Sequence, residues 1–254
     1  KHFEIAKEKS NYYAMAKTGR RLGDIERIRG NKDRAQYHLH FALSSAQKAQ
    51  NLEIELKTYK SLGSAAKIEN NLPEALNYFK RGLEGARKMG RPEMVAEFLN
   101  DLGATFIGLS DFDNAEKALQ ESRSLSGVRK NRATALSATI NLGVIQFMRN
   151  DIEGAVTKFR EASGNARAMG DLSNIMTCEH NIGVAALQLQ NFEEARASFE
   201  ASYELAVDIG NHLERINNLV FFGYTKASLG DPSGAQMLRE GIDEAEKRGY
   251  GTVF

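Results

Sequence analysis

The chain has 254 residues, with 34 Lys and Arg against 33 Asp and Glu, a formal net charge of +1. That near balance excludes a chain drawn to nucleic acid or a membrane by bulk charge, and 3 prolines without a long polar run exclude a mainly disordered one. A single cysteine excludes an internal disulfide and fits a reducing compartment, so a cytoplasmic location is expected; no apolar stretch has membrane-span length and no signal peptide opens the chain.

From residue 12 the chain restates itself every forty residues, over 12–51, 52–91, 92–131, 132–171, 172–211 and 212–249. An apolar-Gly pair marks each copy: Leu22-Gly23, Leu62-Gly63, Leu102-Gly103, Leu142-Gly143, Ile182-Gly183 and Phe222-Gly223. Twelve residues after each glycine stands Ala35, Ala75, Ala115, Ala155, Ala195 or Ala235. Four further on comes a large apolar residue in five copies, Leu39, Phe79, Leu119, Phe159 and Phe199. The sixth copy has Arg239 there with Leu238 beside it, and its second small residue, Ala245, arrives one position early. One residue is therefore missing between Pro232 and Ala245.

Each copy predicts two helices. Apolar residues fall at helical spacing around the apolar-Gly pair. A short polar break follows (Gly30-Asn31, Asn70-Asn71, Ser110-Asp111, Asn150-Asp151, Gln190-Asn191, Gly230-Asp231) whose Asn or Asp suits a helix N-cap. The second helix then runs to Gly90, Gly170 or Gly210, placed for a left-handed C-cap. In the third copy Gly127 comes three residues early, which predicts a shortened helix and a longer turn over residues 128–132. A mid-helix glycine costs about 1 kcal/mol against alanine, so six of them call for close helix contact, Gly against the Ala twelve residues later. A lone pair cannot bury its apolar face, so the pairs must stack. At the ends, Lys1 to Asn11 is placed to cover the first pair, and the polar stretch from Asp243 to Gly251 suits a solvent-facing last helix. The chain opens at Lys1 rather than a methionine, so a larger parent protein is an expectation.

Leu-Gly, Ala at plus twelve and Phe or Leu at plus sixteen resembles the tetratricopeptide-repeat signature, over about Asn11 to Gly249. The chain departs from it in having no tryptophan, no proline ending the second helix, and a forty-residue unit. Repeats of that length resemble those of Leu-Gly-Asn adaptors, kinesin light chains and Rap-type regulators. The adaptors place Asn after Leu-Gly, where this chain has Asp24, Ser64, Ala104, Val144, Val184 and Tyr224. The resemblance implies an all-α fold, a right-handed α-solenoid of six stacked helix-turn-helix repeats forming one superhelical domain over residues 1–254. It also implies that the first helix of each pair lines a concave groove.

Little in the chain points to catalysis. Cys178 lies four residues before Ile182 and reads as a small buried apolar residue. His38 and His40 are two apart on a helix and diverge, while His2 and His212 have no partner at metal-ligand spacing. The glycines stand singly inside helices, so no phosphate-cradling loop exists. Carboxylates in "NFEEA" and "NLPEA" sit at helix N-termini, where they complement the macrodipole. No enzymatic activity, cofactor or metal is expected.

Positions six, three and two before each glycine, and one and four after it, share a helix face and on the resemblance would line the groove. Repeats one and two place there Lys17, Arg20, Arg21, Asp24 and Arg27, then Lys57, Lys60, Ser61, Ser64 and Lys67. Repeats three and four place Glu97, Asn100, Asp101, Ala104 and Ile107, then Ser137, Ile140, Asn141, Val144 and Phe147. Repeats five and six place Thr177, His180, Asn181, Val184 and Leu187, then Asn217, Val220, Phe221, Tyr224 and Ala227. The candidate binding residues are Lys17, Arg20, Arg21, Lys57, Lys60, Lys67, Asn100, Asn141, Phe147, His180, Asn181, Asn217, Phe221 and Tyr224. The face begins basic, carries amides able to hold a peptide backbone, and ends apolar. Residues 1–130 hold 23 Lys and Arg against 17 Asp and Glu, whereas residues 131–254 hold 11 against 16, so the net changes from +6 to −5.

The expected function is a non-enzymatic scaffold holding a peptide or protein segment, acidic at one end, in the groove. The alternative is a peptide-sensing regulatory domain that controls an attached effector. Nucleic acid is the weakest partner, because basic and aromatic residues do not alternate and the polar readers change from copy to copy.

Overall fold

The structure, a computed structural model, describes residues 11–128 and 131–248, and every regular element among them is a helix. In chain order these are α1 (Tyr12–Ile28), α2 (Lys32–Lys48), α3 (Leu52–Ile68), α4 (Leu72–Lys88), α5 (Pro92–Gly108) and α6 (Phe112–Val128). Then come α7 (Arg132–Met148), α8 (Ile152–Met169), α9 (Leu172–Gln188), α10 (Phe192–Asp208), α11 (His212–Ser228) and α12 (Pro232–Lys247). Each repeat is one pair, a first and a second helix. The expectation that residues 1–10 cover the first pair lies outside the described residues; Asn11 itself is the N-cap of α1.

Two of the three residues between the helices of a pair shape each turn. The first takes a left-handed backbone: Gly30, Asn70, Ser110, Asn150, Gln190 and Gly230 have φ between 57° and 81°. The second, Asn or Asp, stops the next helix from fraying: Asn71, Asp151 and Asn191 each accept a side-chain hydrogen bond from the backbone N–H three residues on. Asn31 departs from this, because its amide instead donates to Glu26 Oε2 at 2.7 Å. Glycine serves the same left-handed position between repeats at Gly90, Gly170 and Gly210.

One expectation is corrected here. Gly127 does not shorten α6, which runs 17 residues to Val128 like its counterparts. Glycine ends a helix by swinging into the left-handed region, and Gly127 stays outside it with open space around it.

The described residues fall into two compact units that divide between Ala135 and Leu136. In the first, α2 packs on α3 and α4 on α5; its main core gathers Leu39, Leu56, Leu62, Phe79, Phe98 and Leu102. In the second, α8 packs on α9 and α10 on α11; Leu136, Phe159 and Ile175 fill one cluster, Phe199 and Phe222 another.

Inside a pair, the glycine faces the large residue at plus sixteen more directly than the alanine at plus twelve. A Cβ on Gly23 would stand 2.6 Å from Leu39 Cδ2, one on Gly143 2.7 Å from Phe159 Cε1, and one on Gly183 2.8 Å from Phe199. Real Cβ atoms do not come that close, so the ring or leucine occupies the space a side chain would need. A further small column, Ala42, Gly82, Ser122, Ala162, Ser202 and Gly241, is buried on the second helices. Ser122 and Ser202 in it donate their hydroxyls to the carbonyls of Ala96 and Met176 on the facing first helix.

The sixth pair shows where the missing residue went. In the other repeats the N-cap carbonyl accepts from the alanine four residues on, as Ala195 N–H does to Asn191 O at 3.0 Å. In α12, Asp231 O instead accepts from Gly234, three residues on, at 3.0 Å. This tighter first turn advances the helix by one residue. Gly234 takes the buried seat expected for Ala235, which is exposed, and Leu238 replaces Arg239 opposite Gly223. A Cβ on Gly223 would stand 2.6 Å from the backbone N of Leu238, so this pair meets backbone to backbone.

Replacing Gly143 by Ala should therefore cost about 1–3 kcal/mol through overpacking against Phe159, and Gly143→Leu more. Urea denaturation of both variants checks this, and Phe159→Leu should recover part of the loss in the Gly143→Ala background. Unchanged midpoints would refute the tight seat.

Candidate functional site

The first-helix face of the first unit is built on α1, α3 and α5. Lys17 and Arg21 stand exposed on α1, and neither forms an ion pair among the described residues. Three further cations meet acids of this chain. Arg20 Nη1 donates to Asp24 Oδ2 at 2.7 Å one turn along α1, and Lys57 Nζ to Glu53 Oε1 at 2.6 Å along α3. Lys60 reaches from α3 to α5, where Nζ lies 2.7 Å from Glu97 Oε2 and 3.9 Å from Asp101 Oδ2. Lys67, two turns beyond Lys60, is half-buried, as is Asn100 on α5.

Asp101 is the most perturbed group on this face. Burial pushes its carboxyl up to about 6, against the pull of Lys60 and Lys67, and Glu97 adds to the rise. Its Oδ2 is sealed from solvent and accepts no hydrogen bond. Lys60 at 3.9 Å is near enough to attract it and too far to bond.

The second unit carries its face on α7, α9 and α11. Phe147 is half-buried and packs against the core cluster beneath it. Asn141 and Asn181, two residues before their glycines, are likewise half-buried. His180 sits edge-on to two stacked rings, with centroids 5.6 Å from Phe199 and 5.5 Å from Phe221. Its Nδ1 lies 2.9 Å from Oδ1 of Asn218, a fully buried residue. Asn218 Nδ2 donates to Glu214 O at 2.8 Å, which fixes Oδ1 as the acceptor and His180 Nδ1 as the donor. Asn217 Nδ2 donates to Glu214 Oε2 at 3.4 Å, and Tyr224, 48% exposed, is the exposed aromatic side chain among the described residues of this face.

Asn218 escapes a reading based on the face alone, because it lies five residues before its glycine. The signal is in its column, which elsewhere holds Thr18, Thr58, Phe98, Ala138 and Cys178. An amide among small and apolar residues needs a buried partner, and His180 is that partner. Cys178 is itself fully buried, its thiol pushed up to about 12 by desolvation. Among the described residues no three His, Cys, Asp or Glu gather at a metal-binding spacing, and no helix is long and apolar enough to cross a membrane.

Residues 180–206 match the tetratricopeptide repeat model, from the last turns of α9 through most of α10. Tetratricopeptide repeat protein 29 of Trypanosoma brucei brucei is 22% identical over 208 residues, 80% of this chain and 41% of that protein. The chain thus spans less than half the length of this curated relative. Aspartyl phosphate phosphatase F from Bacillus subtilis shares the fold with a TM-score of 0.79 at 13% identity, over 96% of this chain and 64% of that one. The Rap conjugation gene regulator of plasmid pLS20, solved in complex with the Phr* peptide, matches with a TM-score of 0.67 at 15% identity, over 85% of this chain and 64% of that one. The family match thus falls on the fifth helix pair, and the likeness to these solved structures is one of fold.

Asp101 makes a stability prediction with a defined sign. Its folded-state value lies above the ordinary carboxylate value, so the folded chain holds the proton more tightly than the unfolded one. Stability attributable to this group therefore falls as pH rises from about 4 to about 6, then stays low. Asp101→Asn should raise stability by about 1–3 kcal/mol above pH 6, with the gain shrinking toward pH 4. Denaturation midpoints of both proteins across that range test it, and a pH-independent difference would refute it.

Proposed function

We propose that this chain is a non-enzymatic interaction module that holds peptide or protein segments on the first-helix faces of its repeats. One observation carries the reading. The residues that seat one helix against the next recur from copy to copy, while the first-helix face passes from basic in the first two repeats to amide-bearing and apolar in the later ones. A face whose chemistry changes along the chain while the seats stay constant suits recognition of a non-repeating ligand.

The two faces favour different ligand chemistry. Lys17 and Arg21, exposed and unpaired among the described residues, supply the first unit's attraction for an acidic segment, with Lys67 beside the paired Lys60. In the second unit the amides of Asn141 and Asn181 suit an extended backbone, and Tyr224 with Phe221 suits an apolar side chain. Charge would set association rate and orientation, and the aromatic contacts residence time. A buried, unpaired Cys178 supports a reducing, cytoplasmic setting.

A second reading is a peptide-sensing regulatory domain that controls an attached effector. It is favoured by the likeness to a Rap regulator solved with a peptide, of which this chain covers 64%.

Selection of a displayed random-peptide library on the whole chain tests the binding reading. Recovered sequences should be acid-rich, apolar-rich or both. Lys17→Glu with Arg21→Glu should weaken acid-rich binders about tenfold and flatten their salt dependence. Tyr224→Ala should speed dissociation of apolar-rich binders while leaving salt dependence unchanged. Recovered peptides that bind all variants like the parent would move the site off these faces.

A further inference from the structure

Lys60 on α3 is one ammonium serving two carboxylates a turn apart on α5. Glu97 takes the short contact at 2.7 Å, and Asp101 Oδ2 stands at 3.9 Å, sealed from solvent and without a hydrogen bond. The two acids are not equivalent. Glu97 is 37% exposed and can swing into water at little cost, whereas Asp101 retains 22% exposure and has a sealed oxygen. The charged groups acting on Asp101 are Lys60 and Lys67 from α3 and Glu97 from its own helix.

We propose that Glu97 is an internal competitor for Lys60, which an acidic ligand group displaces, and that Asp101 then takes up a proton and donates it in a hydrogen bond to the ligand carboxylate. This rests on the acidic-segment reading of the first unit. A ligand carboxylate on Lys60 would stand close to Asp101, and like charges at contact distance in a poorly hydrated place do not both stay ionised. The ligand oxygen keeps Lys60, so Asp101, already the less solvated acid, accepts the proton from solvent. Its O–H then has what Oδ2 lacks in the free protein, a partner at short range. Burial already holds this carboxyl near the pH where such uptake is easy. The site therefore selects acidic groups more strongly as pH falls, in a range where aspartate ligands and lysines keep their charge.

The test uses the whole chain and a fluorescently labelled peptide of alternating Asp and Gly, at constant ionic strength. Affinity should rise about tenfold from pH 7.5 to pH 5.5. Calorimetry in two buffers of different ionisation enthalpy, at about pH 6.5, should show proton uptake on binding. Glu97→Gln should tighten binding at every pH and keep the slope, and Asp101→Asn should remove both slope and proton uptake. As a control, a variant with both His38 and His40 of α2 changed to Gln must keep the slope. Peptide bound with no pH dependence, a slope that survives Asp101→Asn, or weaker binding by Glu97→Gln would each overturn the proposal alone. Absence of binding by every variant at every pH would overturn the acidic-segment reading and this proposal with it.

Discussion

Everything in this chain depends on how closely the two helices of a pair approach. A glycine on the first helix leaves a seat that a phenylalanine or leucine from the second helix fills. The seat costs about 1 kcal/mol of helix propensity. It returns more than that, because burying a whole Phe or Leu is worth about 1.5–3 kcal/mol. Phe79, Phe159 and Phe199 are almost wholly buried in this way. The same geometry repeated every forty residues lets each unit build its core clusters from short helices that would be marginal alone.

Because packing is delegated to those columns, the first-helix face is left to vary. Its charge is less available than a count of lysines and arginines implies. Arg20, Lys57 and Lys60 each lie against an acid of this chain, and exposed pairs of that kind contribute little to stability. On the proposed reading their effect is on recognition: they leave Lys17 and Arg21 as the exposed unpaired cations among the candidate binding residues of that face, and an acidic ligand would compete for the others.

The architecture was legible because its signal is repeated. Gly23 to Gly223, with Leu or Phe at plus sixteen, tells the same packing story in every copy, so one irregular copy misleads little. Where a single copy deviates, the reading by pattern weakens. Gly127 looks like a helix stop only if its backbone turns left-handed, and the pattern is silent on φ. The slip in α12 showed in the sequence as Arg239 and an early Ala245, yet its location, in the first turn after Asp231, depends on one three-residue hydrogen bond in place of a four-residue one. The face residues were legible as positions but not as pairs. That Lys60 meets Glu97 thirty-seven residues away, or that His180 is oriented by Asn218, follows from how neighbouring repeats stack.

A chain so consistent in its packing makes its exceptions informative. Asp101 Oδ2 and Arg27 Nε are buried without a hydrogen bond, and both belong to the first-helix face of the first unit. An unsatisfied buried polar group costs about 1–3 kcal/mol, and an asparagine or serine in place of Asp101 would remove the charge penalty without disturbing the glycine seats. In the second unit the comparable buried amide, Asn218, is bonded at both ends. Gln146 Oε1 in the second unit and Ser126 Oγ on α6 are also buried without a hydrogen bond, so this cost falls in both units and on both kinds of helix.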